Sequence, residues 1–591
     1  MATVKEDLPE FLRPYVVEQN TSLYSPIDHA SWRFIMLVAR DFFARHAHPG
    51  YLPGLAATGV STERIPTIAE MDIKLRSFGW RAVAVTGFIP PAIFLELLSM
   101  GILPIACDMR KLEHIDYTPA PDIVHEAAGH APLLADPKYA SYLRKFGQIA
   151  RYAIFSQEDQ RLYEAILYLS EVKEDPGSSE DQIELAEAGV RDAYAKVTYV
   201  SEAAQVSRLG WWSTEYGLLQ GGEKPLIYGA GLLSSLAESY AVFRDAVPKF
   251  PLTIDCVHVN YDITKPQPQL FYVEDLSQLE GIVEELAQGM AFRVGGKVGT
   301  DRALAAGTVT TVVLNTGLAV SGVLQQCTWS DDLPETPYLN WLKYSGPVQL
   351  SYGGEQLAGH GAAYHTHGFS SPLGYLQDLA KPLSELSESE FKERGWDNER
   401  LVRLVFASGI EVSGILRGVL RRDGKCLLMT FAECTVRKGA QVFFAPDWGL
   451  FDMACGEQVI SVYGGAAERG AYLRETGNFS KTSRAQKVNS LPSHRRLERL
   501  YQKVRDEREK LPGEVSAECL SEVAQALERN FPQEWLLRLE LVELAKSVGE
   551  NTEMATRMMT DLARIATTSP QLNTLIGRGL QALGVSKESI G

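Results

Sequence analysis

Two histidines and one glutamate are the residues whose types and spacing most clearly indicate chemistry in this chain. His125 and His130 lie in the run PDIVHEAAGHAPLL at 121–134, and Glu215 lies in WWSTEYGLLQ at 211–220. Two imidazoles and one carboxylate are the protein ligands of a mononuclear non-haem iron(II) centre that keeps positions open for oxygen chemistry. We therefore take these three side chains as candidate metal ligands and as the candidate catalytic centre.

The spacing of the two histidines argues against a zinc protease. In the protease motif H-E-x-x-H the histidines are four residues apart and share one face of a helix. Here they are five apart, so a straight α-helix at about 100° per residue would point them roughly 140° away from each other. They can share a metal only if the helix begins or distorts between them, which Gly129 could allow. Taken alone, the pair could also be two structural histidines.

The sequence around these residues resembles the pterin-dependent aromatic amino acid hydroxylases, most closely the branch that acts on phenylalanine. The resemblance covers about residues 15–295. It is carried by five segments in the family's order: GFIPPAIF at 87–94, Arg110 with YTP at 117–119, PDIVHEAAGHAPLLADPKYA at 121–140, WWSTEYGLL at 211–219 and YGAGLLSS at 228–235.

The resemblance implies roles for individual residues. Iron(II) would be bound by His125, His130 and Glu215, and a tetrahydropterin such as tetrahydrobiopterin would be the cosubstrate beside O2. The implied pterin contacts are Gly87, Phe94 and Glu126; the implied contacts to the amino acid are Arg110, Thr118, Trp211, Gly231 and Ser234. Ser234 or Asp122 would also orient a metal-binding imidazole, and Tyr261 matches a tyrosine near the family's iron. Without the resemblance, Glu126 would be read as a solvated helix carboxylate and Phe94 as core.

The implied reaction is hydroxylation of an aromatic amino acid ring by O2, with phenylalanine giving tyrosine. Trp211 suits the phenylalanine and tyrosine branches, and Ile263 is apolar where the tyrosine branch tends to carry aspartate. Two alternatives stay open at this point. One is the same chemistry on tryptophan or another aromatic substrate, and the other is a non-catalytic sensor that binds the metal and the pterin.

Composition limits the partners and the compartment. The formal charge of −16 argues against nucleic acid or an anionic membrane as a partner. The seven cysteines are scattered and lack any C-x-x-C, so reduced thiols in a cytoplasm fit best. With no run of 18 apolar residues, a membrane span is not expected. The expected partner is a small aromatic amino acid.

The pattern along the 591 residues predicts a multidomain chain. Residues 1–298 would form a mainly α catalytic domain of the hydroxylase type, with a helical insertion at 157–205. The insertion separates His130 from Glu215 by more than the resemblance leads us to expect, and it could be a surface decoration, a lid or a docking element. Residues 471–492 would be a linker. Residues 493–591 would be helical, with a short apolar stripe that suits intramolecular packing better than a coiled coil, and through this region a homo-oligomer could form.

Residues 299–470 change to period-2 alternation, which predicts a β-rich domain. LNTGLAVSGVL at 314–324 and FASGIEVSGIL at 406–416 form an internal repeat offset by 92 positions, with turns expected at 316–317 and 408–409. The same domain carries GHGAAYHTH at 359–367. His360, His365 and His367 in this run are either part of a polar loop or metal ligands, and Glu355 is the only acidic residue nearby in sequence.

Overall fold

The computed structural model describes residues 4–116, 121–174, 178–263, 265–330, 337–477, 486, 494–511, 514–548 and 552–585. Thr118, an expected substrate contact, lies outside the described residues, as does most of the expected linker. Within these ranges, every helix is too short or too polar to cross a membrane.

The first half of the chain is mainly helical, with short strands between the helices. Its α-helices are α1 Val4–Asp7, α2 Pro26–His46, α3 Tyr51–Ala57, α4 Ile68–Leu75, α5 Pro91–Ser99, α6 Pro137–Ala150, α7 Gln157–Glu174, α8 Glu180–Ala195, α9 Glu202–Gly210, α10 Ala230–Ser234, α11 Leu236–Ala241, α12 Gln278–Gly289, α13 Ala291–Val294 and α14 Gly296–Ala306. Its strands are β1 Arg81–Val85, β2 Ile102–Ala106, β3 Gly217–Leu219, β4 Leu226–Ile227, β5 Lys249–Pro251 and β6 Leu270–Val273. Two π-helices, Val124–His130 and Trp211–Glu215, interrupt this pattern.

Helix α2 is the centre of the main hydrophobic core. Ser25 caps its first turn reciprocally with Asp28, and Pro26 occupies the first helical position, so the start of the helix is fixed by local sequence. Trp32 is fully buried and Phe34 is 2 % exposed, because other helices cover α2 on several sides. The core formed around α2 extends to the residues that surround the two π-helices.

The expected insertion consists of the two helices α7 and α8. They pack on each other through a small core of their own that contains Leu169, Val172, Ala186 and Val190. The hydroxyl of Tyr163 on α7 donates a hydrogen bond to the carbonyl oxygen of Phe88 at 3.1 Å, and the two rings stack at 5.6 Å. The hairpin therefore contacts the 87–94 segment directly.

The β-rich part of the chain contains two antiparallel sheets. Its strands are β7 Val309–Leu314, β8 Leu318–Trp329, β9 Leu339–Tyr352, β10 Glu355–Gln356, β11 Gly368–Pro372, β12 Leu401–Val405, β13 Glu411–Arg422, β14 Lys425–Lys438, β15 Gln441–Phe444, β16 Phe451–Ala454 and β17 Val459–Gly464, with a short helix α15 Glu388–Glu393. The first sheet has the order β10-β9-β8-β7-β17 with β11 on β9, and the second has the order β12-β13-β14-β15 with β16 on β14. The repeat supplies one hairpin to each sheet, β7–β8 and β12–β13. Gly317 and Gly409 at the two turns have φ values of 90° and 78°, which favour glycine.

The two sheets meet where β11 approaches β16. The backbone N–H of Ala454 donates to the hydroxyl of Ser371 at 2.9 Å, and Ser371 is completely buried. The buried apolar side chains form two clusters, one mainly from each sheet, and Leu427, Leu428 and Ala454 of the second sheet belong to the cluster of the first.

Helix α16 Arg469–Thr476 follows β17, so the described beginning of the expected linker is helical. Beyond it lie α17 Arg495–Arg508, α18 Ala517–Asn530, α19 Leu536–Val548, α20 Thr552–Ala566 and α21 Pro570–Ala582.

The C-terminal helices pack on α2. Tyr501 and Val504, from the apolar stripe of α17, are fully buried. The guanidinium of Arg33 pairs with the carboxylate of Glu540 on α19 at 2.5 Å, and both side chains are almost fully buried. The apolar stripe of α17 therefore packs inside this chain, and the C-terminal helices share the hydrophobic core of the first domain.

Candidate metal centre and active site

A π-helix brings the two histidines, which are five residues apart, to the same face. Residues 124–130 form backbone hydrogen bonds from i to i+5, so residues five apart lie on the same face. The rings of His125 and His130 are 5.0 Å apart, centroid to centroid, and nearly perpendicular at 82°. The sequence suggested that Gly129 would allow a distortion between the histidines, and the structure shows a further constraint on this residue. A Cβ at Gly129 would lie 2.8 Å from the carbonyl oxygen of Ala230, so this glycine allows the π-helix to pack closely on α10.

Glu215 comes to the two histidines from the end of the second π-helix. Its Oε2 lies 3.2 Å from His125 Nε2, and its Oε1 lies 3.2 Å from His130 Nε2. The three ligand atoms all lie within 4.8 Å of one another. Metal bonds of about 2.0–2.2 Å separate neighbouring ligand atoms by roughly 3 Å, so a single ion fits among them.

The hydrogen bonds of Ser234 fix the ring of His125. Its hydroxyl donates to the carbonyl oxygen of Ala230 at 2.8 Å, so it is left to accept a hydrogen bond from His125 Nδ1 at 3.0 Å. With the proton on Nδ1, the lone pair of Nε2 faces Glu215 and is available to a metal. Asp122 Oδ1 also accepts the backbone N–H of His125 at 3.0 Å, which caps the first turn of the π-helix.

The donor arrangement fits a metal ion better than a hydrogen-bonded cluster. His130 Nε2 is completely buried, and within the described ranges it has no hydrogen-bond partner although a carboxylate oxygen is 3.2 Å away. A buried ring nitrogen without a partner is costly unless something else binds it. The other ring nitrogen, Nδ1, lies 3.5 Å from the hydroxyl of Tyr139, a neighbour that the sequence did not single out.

The two carboxylates of the site differ in their electrostatic surroundings. Burial tends to raise the pKa of Glu215, but the imidazoles of His130 and His125 outweigh this effect and lower its pKa below the ordinary value, which keeps it anionic. Burial raises the pKa of Glu126 to about 8. Glu126 Oε2 is buried and has no hydrogen-bond partner in the described part of the chain, so this oxygen is available to a ligand.

Glycines allow the turn at Gly229–Gly231 to pack closely against the backbone of Glu215, the third ligand. A Cβ at Gly229 would lie 2.3 Å from the carbonyl oxygen of Glu215 and 2.5 Å from the backbone nitrogen of Gly217. A Cβ at Gly231 would lie 3.0 Å from the same carbonyl oxygen. The turn therefore sets the backbone position of Glu215, while the expected contact of Gly231 with a substrate stays a prediction.

Arg110 forms a buried pair with Asp122. Its Nε and Nη2 atoms donate to the two carboxylate oxygens at 2.7 and 2.8 Å, and Nη1 donates to the carbonyl oxygen of Ser234 at 2.9 Å. The sequence did not anticipate Asp122 as the partner. Three of the five guanidinium N–H groups are used in these bonds, and the side of Arg110 that faces away from Asp122 remains the predicted contact for a substrate carboxylate.

The ring of Trp211 lies in an aromatic stack. It is parallel to the ring of Tyr261 at 4.3 Å and 10°, and it packs on Tyr216 at 4.6 Å. The indole N–H donates to Gln267 Oε1 at 3.1 Å, which fixes the plane of the ring. The ring of Tyr261 is therefore packed on Trp211, and its expected place near the iron stays a prediction.

The expected pterin loop is held by backbone contacts at Gly87 and at Phe88. Gly87 has a φ of 62°, which favours glycine, and its N–H donates to Asp108 Oδ2 at 2.8 Å. Phe94, on α5, is half-buried and packs against the main core.

The comparisons with known proteins identify one family for the segment that carries this site. Residues 19–205 and 181–294 match the family model of the biopterin-dependent aromatic amino acid hydroxylases. Residues 19–294 belong to this family. The two matched ranges overlap at 181–205, within the insertion.

Several relatives of the hydroxylase segment are known. A phenylalanine-4-hydroxylase of Ralstonia nicotianae is 28 % identical and aligns with 50 % of this chain and 85 % of its own length. One of Chromobacterium violaceum is 27 % identical over 45 % of this chain and 75 % of its own. The crystal structure of phenylalanine hydroxylase from Chromobacterium violaceum with iron and phenylalanine bound aligns at 25 % identity and a TM-score of 0.35, over 47 % of this chain and 89 % of that one. The family match and the sequence relatives show that the hydroxylase segment is that of a phenylalanine hydroxylase-like enzyme.

Proposed function

We propose that this protein hydroxylates the aromatic ring of phenylalanine to give tyrosine, using iron(II), a tetrahydropterin and O2. The observation that carries the proposal is the approach of His125 Nε2 and His130 Nε2 to the two oxygens of Glu215, at 3.2 Å each. This donor set leaves metal positions open for O2 and suits iron(II). The family membership of residues 19–294 supports the same chemistry.

The side chains of the site would each do one part of this work. His125, His130 and Glu215 would hold iron on one side, and Ser234 would keep the proton of His125 on Nδ1 so that Nε2 binds the metal. Bound iron and a tetrahydropterin would supply the redox chemistry that inserts one oxygen atom of O2 into the ring.

Other residues would bind and orient the organic partners. The unpartnered oxygen of Glu126 would accept a hydrogen bond from the pterin, which would lie against Phe94 and the backbone at Gly87. Arg110, held rigidly by Asp122, would pair with the carboxylate of the amino acid. The stacked indole of Trp211 would form one wall for the substrate ring.

One assay distinguishes the proposed function from two alternatives, the same chemistry on another aromatic substrate and a non-catalytic sensor. The purified chain is loaded with iron(II) and supplied with a tetrahydropterin, O2 and each of phenylalanine, tyrosine and tryptophan, and the products are identified by mass spectrometry. We expect one added oxygen atom on phenylalanine, no product from His130→Ala and unchanged product from His258→Ala, a histidine exposed at the surface. Product from tryptophan alone would establish the same chemistry on another substrate. Bound iron and pterin without any product would establish a sensor and contradict the proposal.

A further inference from the structure

A second cluster of metal-binding side chains lies in the β-rich domain. His360 and His365 lie in the loop between β10 and β11, and Asp452 lies on β16. His360 Nδ1 is 3.3 Å from His365 Nε2 and 3.8 Å from Asp452 Oδ2, and one ligand atom from each residue lies within 4.8 Å of the other two. We propose that His360, His365 and Asp452 form a second metal site, which binds a divalent transition-metal ion such as Zn²⁺.

The distances suit such an ion. Bonds of about 2.0–2.2 Å to imidazole nitrogen and carboxylate oxygen place neighbouring ligand atoms roughly 3.0–3.5 Å apart. The separation of 3.3 Å between the two ring nitrogens is already in this range, and Asp452 Oδ2, at 3.8 Å from His360 Nδ1, lies slightly outside it. Two imidazoles and a carboxylate favour zinc and its first-row neighbours over Ca²⁺ and Mg²⁺, which prefer oxygen ligands.

The neighbours of Asp452 direct it toward the imidazoles. Its Oδ1 accepts a hydrogen bond from the hydroxyl of Thr430 at 2.6 Å, which leaves Oδ2 facing His360. The hydroxyl of Tyr364 is also hydrogen-bonded to Asp452, and its ring packs edge-on against both imidazoles at 5.7 and 4.7 Å. Metal-binding side chains are commonly held by such outer contacts.

Burial and charge favour a cation at this place. Asp452 is 6 % exposed, and no lysine or arginine in the described residues forms an ion pair with it. His365 is 9 % exposed, so its ring lies largely out of contact with solvent. The side chain of His360 keeps 16 % of its surface exposed, which gives an ion a route from solvent.

A metal ion here would join the two sheets. The histidines belong to the loop that leads into β11 of the first sheet, whereas Asp452 belongs to β16 of the second. We therefore expect the ion to stabilise the β-rich domain. The site does not depend on the proposed hydroxylase function, since it shares no residue with the centre formed by His125, His130 and Glu215.

The test measures metal bound to the full chain by mass spectrometry of the elements, after loading with Zn²⁺ and removal of free metal. Carried out in the His125→Ala background, it reports on the second site with the first one impaired. We expect one tightly bound ion per chain in this background and none after His365→Ala or Asp452→Asn is added. His367→Ala is the matched control, because His367 lies exposed in the same loop and outside the cluster, and it should leave the ion in place.

A second readout separates loss of binding from loss of folding. Zn²⁺ should raise the melting temperature of the His125→Ala chain, and the shift should disappear with His360→Ala, a change at the least buried of the three positions. Far-UV circular dichroism at low temperature verifies that each variant is folded. The proposal is overturned if the His125→Ala chain binds no metal, or if it keeps its ion and its thermal shift when His360 or His365 is replaced. In that case the cluster is a hydrogen-bonded loop.

Discussion

The turn at Gly229 offers a sharp test of how the third metal ligand is positioned. In the structure, a Cβ at this residue would lie 2.3 Å from the carbonyl oxygen of Glu215 and 2.5 Å from the nitrogen of Gly217. Ordinary contact begins near 3.4 Å, so Gly229→Ala must push the backbone of Glu215 away by about 1 Å. The carboxylate moves with its backbone, away from the point where it can share an ion with His125 and His130.

The cost can be estimated from the packing. Forcing one extra methyl group into a closely packed site costs about 1–3 kcal/mol. If this strain has to be overcome when iron binds, the dissociation constant rises by about 5- to 150-fold, at 1.4 kcal/mol per factor of ten. Any part of the strain that is present without metal does not weaken iron binding and should instead lower the melting temperature of the apoprotein, by several degrees at most.

The assay is competition for iron(II) against a chelator of known affinity, under anaerobic conditions. Gly222→Ala is the control, because Gly222 lies in the connection between β3 and β4 and a Cβ there meets nothing within 4 Å. Its iron affinity should equal that of the unmodified chain. An iron affinity for Gly229→Ala within twofold of the unmodified chain would refute the view that this turn positions Glu215.

Four further changes test other parts of the structure. Ser234→Ala removes the hydrogen-bond acceptor of a ligating imidazole and should weaken iron binding by about 10- to 100-fold in the same chelator assay, whereas unchanged affinity would show that the hydroxyl does not fix the ring. Tyr163→Phe breaks the hydrogen bond from the insertion to the pterin loop and should raise the KM for the pterin more than it lowers kcat; an unchanged KM would make the contact incidental. Glu540→Gln leaves Arg33 buried without its charged partner and should lower the free energy of unfolding in urea by about 3–5 kcal/mol, and a loss under 1 kcal/mol would contradict the inferred cost. Burial, together with nearby arginines, lowers the pKa of His29 to about 3, so below about pH 6.5 this histidine binds a proton in the unfolded chain but not in the folded chain. The free energy of unfolding should therefore fall by up to about 1.4 kcal/mol per pH unit between pH 6.5 and 3. His29→Gln should make the free energy of unfolding less dependent on pH in this range.

The sequence predicted best those features of the site and the fold that a residue and its neighbours in the chain specify together. The donor set follows from the sequence alone, because imidazoles and a carboxylate embedded in five ordered motifs leave few chemistries open. The hairpins at 314–324 and 406–416 could be anticipated, because alternation and a glycine turn specify local pairing. For each hairpin the information lies within one short stretch of chain.

Features that depend on distant residues could not be anticipated. The α-helical period separates His125 from His130, and only the packing of the π-helix against α10 brings them to one face. The carboxylate of Asp122 pairs with Arg110 across a separation of 12 residues, and no local sequence pattern specifies this contact. Asp452 joins His360 and His365 only through the contact between two sheets, so nothing near the histidines in sequence pointed to it.

The central claim is that the centre formed by His125, His130 and Glu215 transfers one atom of O2 to the ring of phenylalanine. It is tested most directly by running the reaction under O2 labelled with oxygen-18, with iron(II) and a tetrahydropterin. The mass of the amino acid product is then measured by mass spectrometry. The account predicts tyrosine that carries one labelled oxygen, formed by the unmodified chain and absent with Glu215→Gln. Pterin oxidation without labelled tyrosine, or labelled tyrosine formed equally well by Glu215→Gln, would contradict it.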